Sequence, residues 1–231
     1  MSHIRVLGLQ SPQIIIGSLA AAFERRTGHT IEQLLRHDEM PVHARQKLAA
    51  GAGFDAAFVL PALMDELIAE GRVLPQTRTG FLRVPIGVAV RAGAPRPAID
   101  TVEAFKRSML AAKSVAFLQA GISGPHLDAL FARFGIADAI NAKSHRTVTD
   151  TVGELVAAGE AEVGVTAIAT LMATPGLDIV GRIPDEIQAY VVFEAALSSR
   201  TDIPDAAKEL IAFVTGPDAH EVIVAKGMLP W

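Results

Sequence analysis

The chain has 231 residues, of which half are apolar and a fifth are charged, and its formal net charge is -4. This length allows one large domain or two small lobes with a sizeable core, and the composition is that of a globular protein. The mild charge disfavours a nucleic acid or an anionic membrane as partner. The absence of cysteine excludes disulfides, thiolate metal sites and cysteine nucleophiles.

The amino terminus, Met1-Ser-His-Ile-Arg-Val, lacks the basic start and the long apolar run of a secretory signal. As written, the sequence therefore predicts a cytoplasmic protein; a trimmed form of an exported chain would belong in the periplasm. No later segment is long and apolar enough to predict insertion into a membrane.

The first third of the chain alternates short apolar runs with helical patterns. The predicted elements are, in order, a strand at Ile4–Leu9, a helix from Ser11 to Gly28, a strand at Thr30–Leu35, a helix at Pro41–Ala50, a strand at Phe54–Leu60 and a helix at Pro61–Gly71. This order is typical of a parallel sheet covered by helices.

The alternation restarts after a long apolar strand, of the kind that often crosses from one lobe to another. The remaining predicted elements are strands at Leu82–Val90, Ser114–Leu118, Ala142–His145, Glu162–Ala167 and Tyr190–Ser198, and helices from Asp100 to Lys113, from Ser123, and at Thr149–Ala158, Pro204–Val214 and Pro217–Lys226. We therefore predict an α/β protein with two lobes, residues 1–82 plus 195–231 and residues 83–194. Each lobe has a mostly parallel sheet flanked by helices.

Two strand-to-helix junctions, one in each predicted lobe, share a serine at the helix cap and a proline in the first turn. They are Leu9-Gln-Ser11-Pro12 and Ile122-Ser-Gly-Pro125. The free amides and the positive dipole end of a helix start attract anions, and such junctions lie where ligands of open α/β sheets gather. A single junction of this kind is more often only a plain helix cap; together the two predict an anion-binding cleft.

Four segments of the chain, in the same order and spacing, resemble the molybdate-binding-like branch of the periplasmic substrate-binding proteins. They are Leu9-Gln-Ser11, Ala44-Arg-Gln-Lys-Leu-Ala-Ala-Gly-Ala-Gly-Phe-Asp55, Leu60-Pro-Ala-Leu-Met-Asp-Glu-Leu-Ile-Ala-Glu-Gly71 and Ala206–Gly227. The resemblance covers nearly the whole chain. It implies a two-lobed periplasmic-binding-protein-like fold that captures a small anion in the cleft between the lobes, and an ABC-type permease as partner if the protein is exported.

The sequence departs from that branch at two positions of its oxyanion pocket. Glu39-Met40-Pro41 replaces a second serine, and Thr166 replaces a tyrosine. An acidic residue in place of a neutral donor disfavours a compact dianion such as molybdate, because like charges repel. We therefore expect an organic carboxylate as the ligand.

The expected ligand-binding residues are the helix-start donors and the polar residues that follow the strands of the second lobe. They are Gln10, Ser11, Met40, Ser123, Gly124, His145, Thr147, Thr149 and Thr166. No two histidines have the spacing of a metal-binding pair on a helix, and no phosphate-binding or dinucleotide-binding glycine motif is present. The sequence therefore predicts neither a metal nor a cofactor.

The segment His37-Asp38-Glu39 allows a second hypothesis. Some proteins that resemble this family are isomerases of unsaturated carboxylic acids, and Glu39 or His37 would be the acid or base of such a cofactor-free reaction. A solvated loop ahead of a helix explains the same three residues. A cytoplasmic ligand-sensing module is a third class that the sequence leaves open.

Overall fold

The computed structural model describes residues 1–35, 41–119, 121–149 and 151–231, with only the backbone of Gln10 and Pro41. The chain forms two compact units: unit 1 comprises Met1–Arg83 and Val192–Trp231, and unit 2 comprises Val84–Val191.

The described residues form ten strands. They are β1 (His3–Gly8), β2 (Thr30–Gln33), β3 (Ala56–Val59), β4 (Thr79–Arg91), β5 (Val115–Leu118), β6 (Ser144–Thr147), β7 (Val163–Ala167), β8 (Leu177–Arg182), β9 (Tyr190–Leu197) and β10 (Leu229–Pro230).

Ten α-helices accompany these strands within the same described ranges. They are α1 (Gln10–Thr27), α2 (Pro41–Ala49), α3 (Pro61–Ala69), α4 (Val102–Ala111), α5 (Ser123–Arg133), α6 (Ala137–Asn141), α7 (Val152–Ala158), α8 (Ile168–Ala173), α9 (Pro204–Thr215) and α10 (Pro217–Ala225).

The sheet of unit 1 has the order β2-β1-β3-β9. β1 pairs in parallel with β2 and β3, and β9 pairs with β3 in the antiparallel direction. All four residues of β3 are buried, as expected of a strand covered on both faces. The Phe58 ring packs edge-on against Phe81 at a centroid distance of 5.1 Å, and Phe23 on α1 lies 5.4 Å from Phe213 on α9. These contacts join the helices and strands into one core.

The carboxyl terminus of the chain lies on the first part of β4. Leu229 and Pro230 pair with Arg83 and Leu82 in the antiparallel direction. The Trp231 ring covers Gly80 so closely that a Cβ atom there would overlap it. Gly80 is therefore required by the packing of the terminal tryptophan.

In unit 2, β4 pairs with β7 and β8 in the antiparallel direction, and β5 pairs in parallel with β6 and β7. One sheet face carries a core that contains Phe105, Phe117 and Phe131 from α4, β5 and α5. The other face carries a smaller core that includes Val152 and Leu171 from α7 and α8. Helices therefore cover both faces of this sheet, and the predicted α/β class is confirmed.

Some predicted elements of unit 2 differ from those observed. The helix expected from Thr149 begins at Val152, and the strand expected at Ala142–His145 is Ser144–Thr147, because α6 occupies the residues before it. The capping side chain of α4 is Thr101, whose Oγ1 accepts a hydrogen bond from the Ala104 amide at 3.1 Å. Three short elements, α6, α8 and β8, have no counterpart in the prediction.

Candidate functional site

The start of α1 follows β1 after a single residue. Leu9 is the N-cap, with extended backbone angles of φ -81° and ψ 171°, and its apolar side chain makes no capping hydrogen bond. Ser11 is therefore the second helical residue, and the prediction that it is the cap is wrong. Its side chain is buried at 6% exposure. The first amides of a helix have no acceptor within the helix, so this buried start presents donors.

Two glutamine side chains fix this helix start to the sheet. The Gln13 amide donates to the Gly8 carbonyl at 2.8 Å, and the Gln33 amide donates to the Gln13 carbonyl at 3.1 Å. The Gln33 Oε1 is buried without a hydrogen-bond partner among the described residues. Neither glutamine is among the predicted site residues; the one signal in the sequence is that Gln13 lies in the turn opened by Ser11-Pro12.

The start of α5 in unit 2 is packed directly against the end of β5. A Cβ atom on Gly124 would overlap the Leu118 carbonyl oxygen and lie 3.0 Å from the carbonyl carbons of Leu118 and Gln119. Only glycine fits at this close approach. Ile122 is the N-cap and no side chain caps this helix either, so Ser123 is its first residue. Ser123 is buried at 2% exposure.

Thr147 is the last residue of β6 and Thr166 the last but one of β7, and these two strands flank β5. Leu118 pairs with Thr147, and Ala116 pairs with Gly164, which is two residues before Thr166. Because in-register neighbours in a parallel sheet share a face, Thr147 and Leu118 lie in one row, and extending the β5–β7 register by two residues adds Thr166 to it. The two threonines are separated by two strand spacings, roughly 10 Å.

Both threonine hydroxyls of this row are buried and lack a hydrogen-bond partner among the described residues. Thr147 is 9% exposed and Thr166 is 0% exposed. An unpaired buried hydroxyl costs about 1–3 kcal/mol, and such groups in native proteins usually have a functional reason. We call Ser123, Thr147 and Thr166 the unit 2 donor set.

The remaining predicted site residues differ in how the structure places them. Gly124 lies beside Ser123 at the start of α5. Thr149 is exposed in the segment after β6, and His145 is exposed on β6, two residues before Thr147 and away from the carboxyl end. His37, Glu39 and Met40 lie outside the described residues, and of Gln10 only the backbone is described.

The candidate donors that the structure describes at the two helix starts are neutral hydroxyls and backbone amides. Ser11, Ser123, Thr147 and Thr166 carry no charge, and His126, in the first turn of α5, bonds the Ile187 carbonyl through its ring nitrogen at 2.8 Å. Neutral donors at a helix start suit an anion, because the dipole adds positive potential without a counter-ion.

The buried charged group Asp55 lies at the opposite, amino end of β3. Its carboxylate accepts hydrogen bonds from the Arg5 amide at 2.8 Å, the Arg5 guanidinium at 3.3 Å and the Thr201 hydroxyl at 2.8 Å. Burial acts to raise the pKa of Asp55, but the hydrogen bonds from Arg5 and Thr201 outweigh it and lower that pKa. We assign this group to the stability of unit 1.

In the part of the chain that the structure describes, no three His, Asp or Glu side chains come together to hold a metal ion. Likewise, no helix within the described ranges is long and apolar enough to cross a membrane.

Comparisons with known proteins identify relatives. Residues 4–229 match the family described as bacterial extracellular solute-binding protein. An aconitate isomerase from a Pseudomonas species is 33% identical over 218 residues, which cover 93% of this chain and 83% of that protein.

Solved structures resemble the fold. A substrate-binding domain assigned to a molybdenum ABC transporter of Clostridium difficile has a TM-score of 0.79 at 13% identity, with both chains covered completely. The periplasmic molybdate-binding protein of Azotobacter vinelandii has a TM-score of 0.72 at 19% identity, with 98% of each chain covered.

Proposed function

The chain belongs to the family of bacterial extracellular solute-binding proteins, and we propose that it binds a small unsaturated polycarboxylate and interconverts its isomers. The proposed donors to the ligand are Ser123, Thr147 and Thr166 of unit 2; Ser11, at the start of α1 in unit 1, is a separate candidate donor. The observation that carries the binding proposal is the pair of buried hydroxyls, Thr147 and Thr166, on the strands that flank β5; neither has a hydrogen-bond partner among the described residues. A carboxylate oxygen supplies the acceptor that these hydroxyls lack.

A carboxylate fits this chain better than molybdate. The relative at 33% identity is named for a carboxylate substrate, whereas the molybdate-related structures share only 13% and 19% of their residues with this chain. Glu39 stands where the molybdate-binding branch has a serine, and its negative charge disfavours a compact dianion.

Isomerisation of aconitate consumes no co-reactant, because the two isomers contain the same atoms. A base removes a proton from the methylene carbon, the electron pair delocalises over the allylic system and its carboxylates, and a proton returns after the geometry has changed. Hydrogen bonds from neutral donors stabilise the charge that develops on the carboxylate oxygens. We propose Glu39 or His37 as the group that moves the proton.

A second candidate function is a receptor that binds the same anion and delivers it, unchanged, to an ABC-type permease. The family description and the names of the structural relatives favour it. The two functions share the binding site and differ only in whether a proton moves.

Incubation of the purified protein with trans-aconitate in D2O separates these functions. An isomerase converts it to the cis isomer and introduces solvent deuterium, both visible by proton NMR; a receptor returns it unchanged. We expect Glu39→Gln or His37→Asn to abolish the exchange. The matched controls are Glu221→Gln and His220→Asn on the exposed surface of α10, which should leave it intact. Full isomerase activity in both Glu39→Gln and His37→Asn would contradict the proposed acid–base role.

A further inference from the structure

Two exposed apolar side chains lie next to the unit 2 donor set. Val148 follows Thr147 directly and is 74% exposed, and Ile122 precedes Ser123 directly and is 38% exposed. Every other valine and isoleucine of unit 2 is buried or partly buried.

Single exposed apolar residues are common on protein surfaces, but these two each adjoin a residue of the unit 2 donor set in the sequence. Unit 2 buries or partly buries its other valines and isoleucines, yet it leaves one of each exposed at a position next in sequence to a buried donor. Neither contributes substantially to the core of this unit in its exposed position. Their position therefore points to a contact that the described residues do not supply.

Val148 and Ile122 also belong to neighbouring segments of the same sheet edge. The Gln119 amide donates to the Thr147 carbonyl at 2.8 Å, so the segment after β5 stays attached to the segment after β6. Ile122 follows in the first of these segments and Val148 in the second. The two apolar residues thus border the same edge as Ser123, Thr147 and Thr166.

We propose that Val148 and Ile122 determine specificity by packing against the hydrocarbon part of the ligand while the unit 2 donor set binds a carboxylate. An inorganic oxyanion has oxygens on every side and gains nothing from such a contact, whereas the carbon skeleton of an organic acid loses water-exposed apolar surface. This inference rests on the proposed function and narrows its substrate class to acids with an exposed hydrocarbon face.

Calorimetric titration with trans-aconitate at several temperatures tests the inference. Val148→Thr and Ile122→Thr replace one methyl or ethyl group and leave the donors unchanged. We expect each variant to bind about tenfold more weakly. The heat-capacity change of binding should also become less negative, since that quantity reports apolar burial. The matched control Val224→Thr alters a 57% exposed valine on α10 and should match the wild type.

The outcomes separate this inference from the function on which it rests. If the wild type binds trans-aconitate and both threonine variants keep its Kd and heat-capacity change, the specificity role is wrong and the proposed function stands. If the wild type binds molybdate but not trans-aconitate, both are wrong.

Discussion

Gly124 and Leu118 approach so closely that a side chain at position 124 would overlap the Leu118 carbonyl group. This contact places the start of α5 against the end of β5, the strand that lies between Thr147 on β6 and Thr166 on β7. We predict that Gly124→Ala destabilises the protein by about 1–3 kcal/mol, because the backbone has to move to admit one methyl group. Chemical denaturation measures the loss, and the binding of trans-aconitate should weaken with it.

Gly17→Ala is the matched control for Gly124→Ala. Gly17 is also helical, but a Cβ atom there meets only the Gln33 amide nitrogen at 3.5 Å. We expect this variant to be more stable than the wild type by about 0.5–1 kcal/mol, since alanine favours the helix interior. Equal stability of the two variants would contradict the close packing at Gly124.

Thr166→Val should separate stability from binding. Valine keeps the shape of threonine and removes the unpaired buried hydroxyl, so we expect the ligand-free protein to gain roughly 1 kcal/mol or more. The same change removes a donor to the carboxylate and should weaken trans-aconitate binding by about ten- to a hundredfold. Thermal unfolding without ligand measures the gain in stability, and thermal unfolding with ligand measures the loss of affinity.

The comparison variant for Thr166→Val is Thr101→Val, which removes the α4 cap. It should lose about 0.5–2 kcal/mol of stability and retain the affinity of the wild type. Unchanged affinity in Thr166→Val would remove Thr166 from the binding site.

Asp55→Asn should destabilise unit 1 by about 2–4 kcal/mol, because the change leaves the hydrogen bonds around a buried carboxylate poorly matched. The folded-state pKa of Asp55 is lowered, so its contribution is fully present above the unfolded pKa of about 3.9. It is lost as the pH falls through the folded pKa. The stability difference between wild type and variant should therefore shrink in denaturation curves recorded below about pH 4.

Asp65→Asn gives the exposed counterpart of that substitution. The Asp65 carboxylate is 65% exposed and pairs with Arg78. We therefore expect the substitution to lower the free energy of unfolding by less than about 1 kcal/mol at any pH. A pH-independent difference between the wild type and Asp55→Asn would contradict the assigned role of the buried carboxylate.

Trp231→Ala should loosen the terminal strand β10 from β4. The Trp231 ring covers Gly80, and β10 contributes only two paired residues, so the ring is a large part of what holds it. We expect a loss of roughly 1–2 kcal/mol from the lost apolar burial. Amide exchange at Leu229 should become faster, and an unchanged exchange rate would show that β10 is held without the ring.

The α/β fold and the family resemblance are confirmed. Particular residues explain why some elements could be predicted from the sequence and others could not. Apolar runs such as Val115–Leu118 are visible in the sequence because both faces of the sheet are covered. The six residues of α8 are too few to display a helical period, and their place is set by packing of Ile168 over Gly87. Local patterns carry no information on such contacts.

In the candidate site, too, local sequence patterns predict some features, whereas others depend on contacts between distant segments. The position of Thr166 after an apolar run predicts that it lies near a strand end, but its alignment with Thr147 depends on strand register, which no single run contains. The caps at Ser11 and Ser123 were predicted one or two residues late, because close packing of Gly124 and the turn at Leu9 decide where the helices begin. Ligand binding by these residues remains a prediction.

The unpaired hydroxyls of Thr147 and Thr166 also bear on how this fold diversifies. Since neither hydroxyl bonds another described residue, a mutation that replaces it breaks no hydrogen bond within the described part of the chain. Selection can then exchange these side chains, and with them the anion that is recognised, while the sheet and its helices persist. Such positions allow one scaffold to acquire new ligands, or to change from transport to chemistry, through few mutational steps.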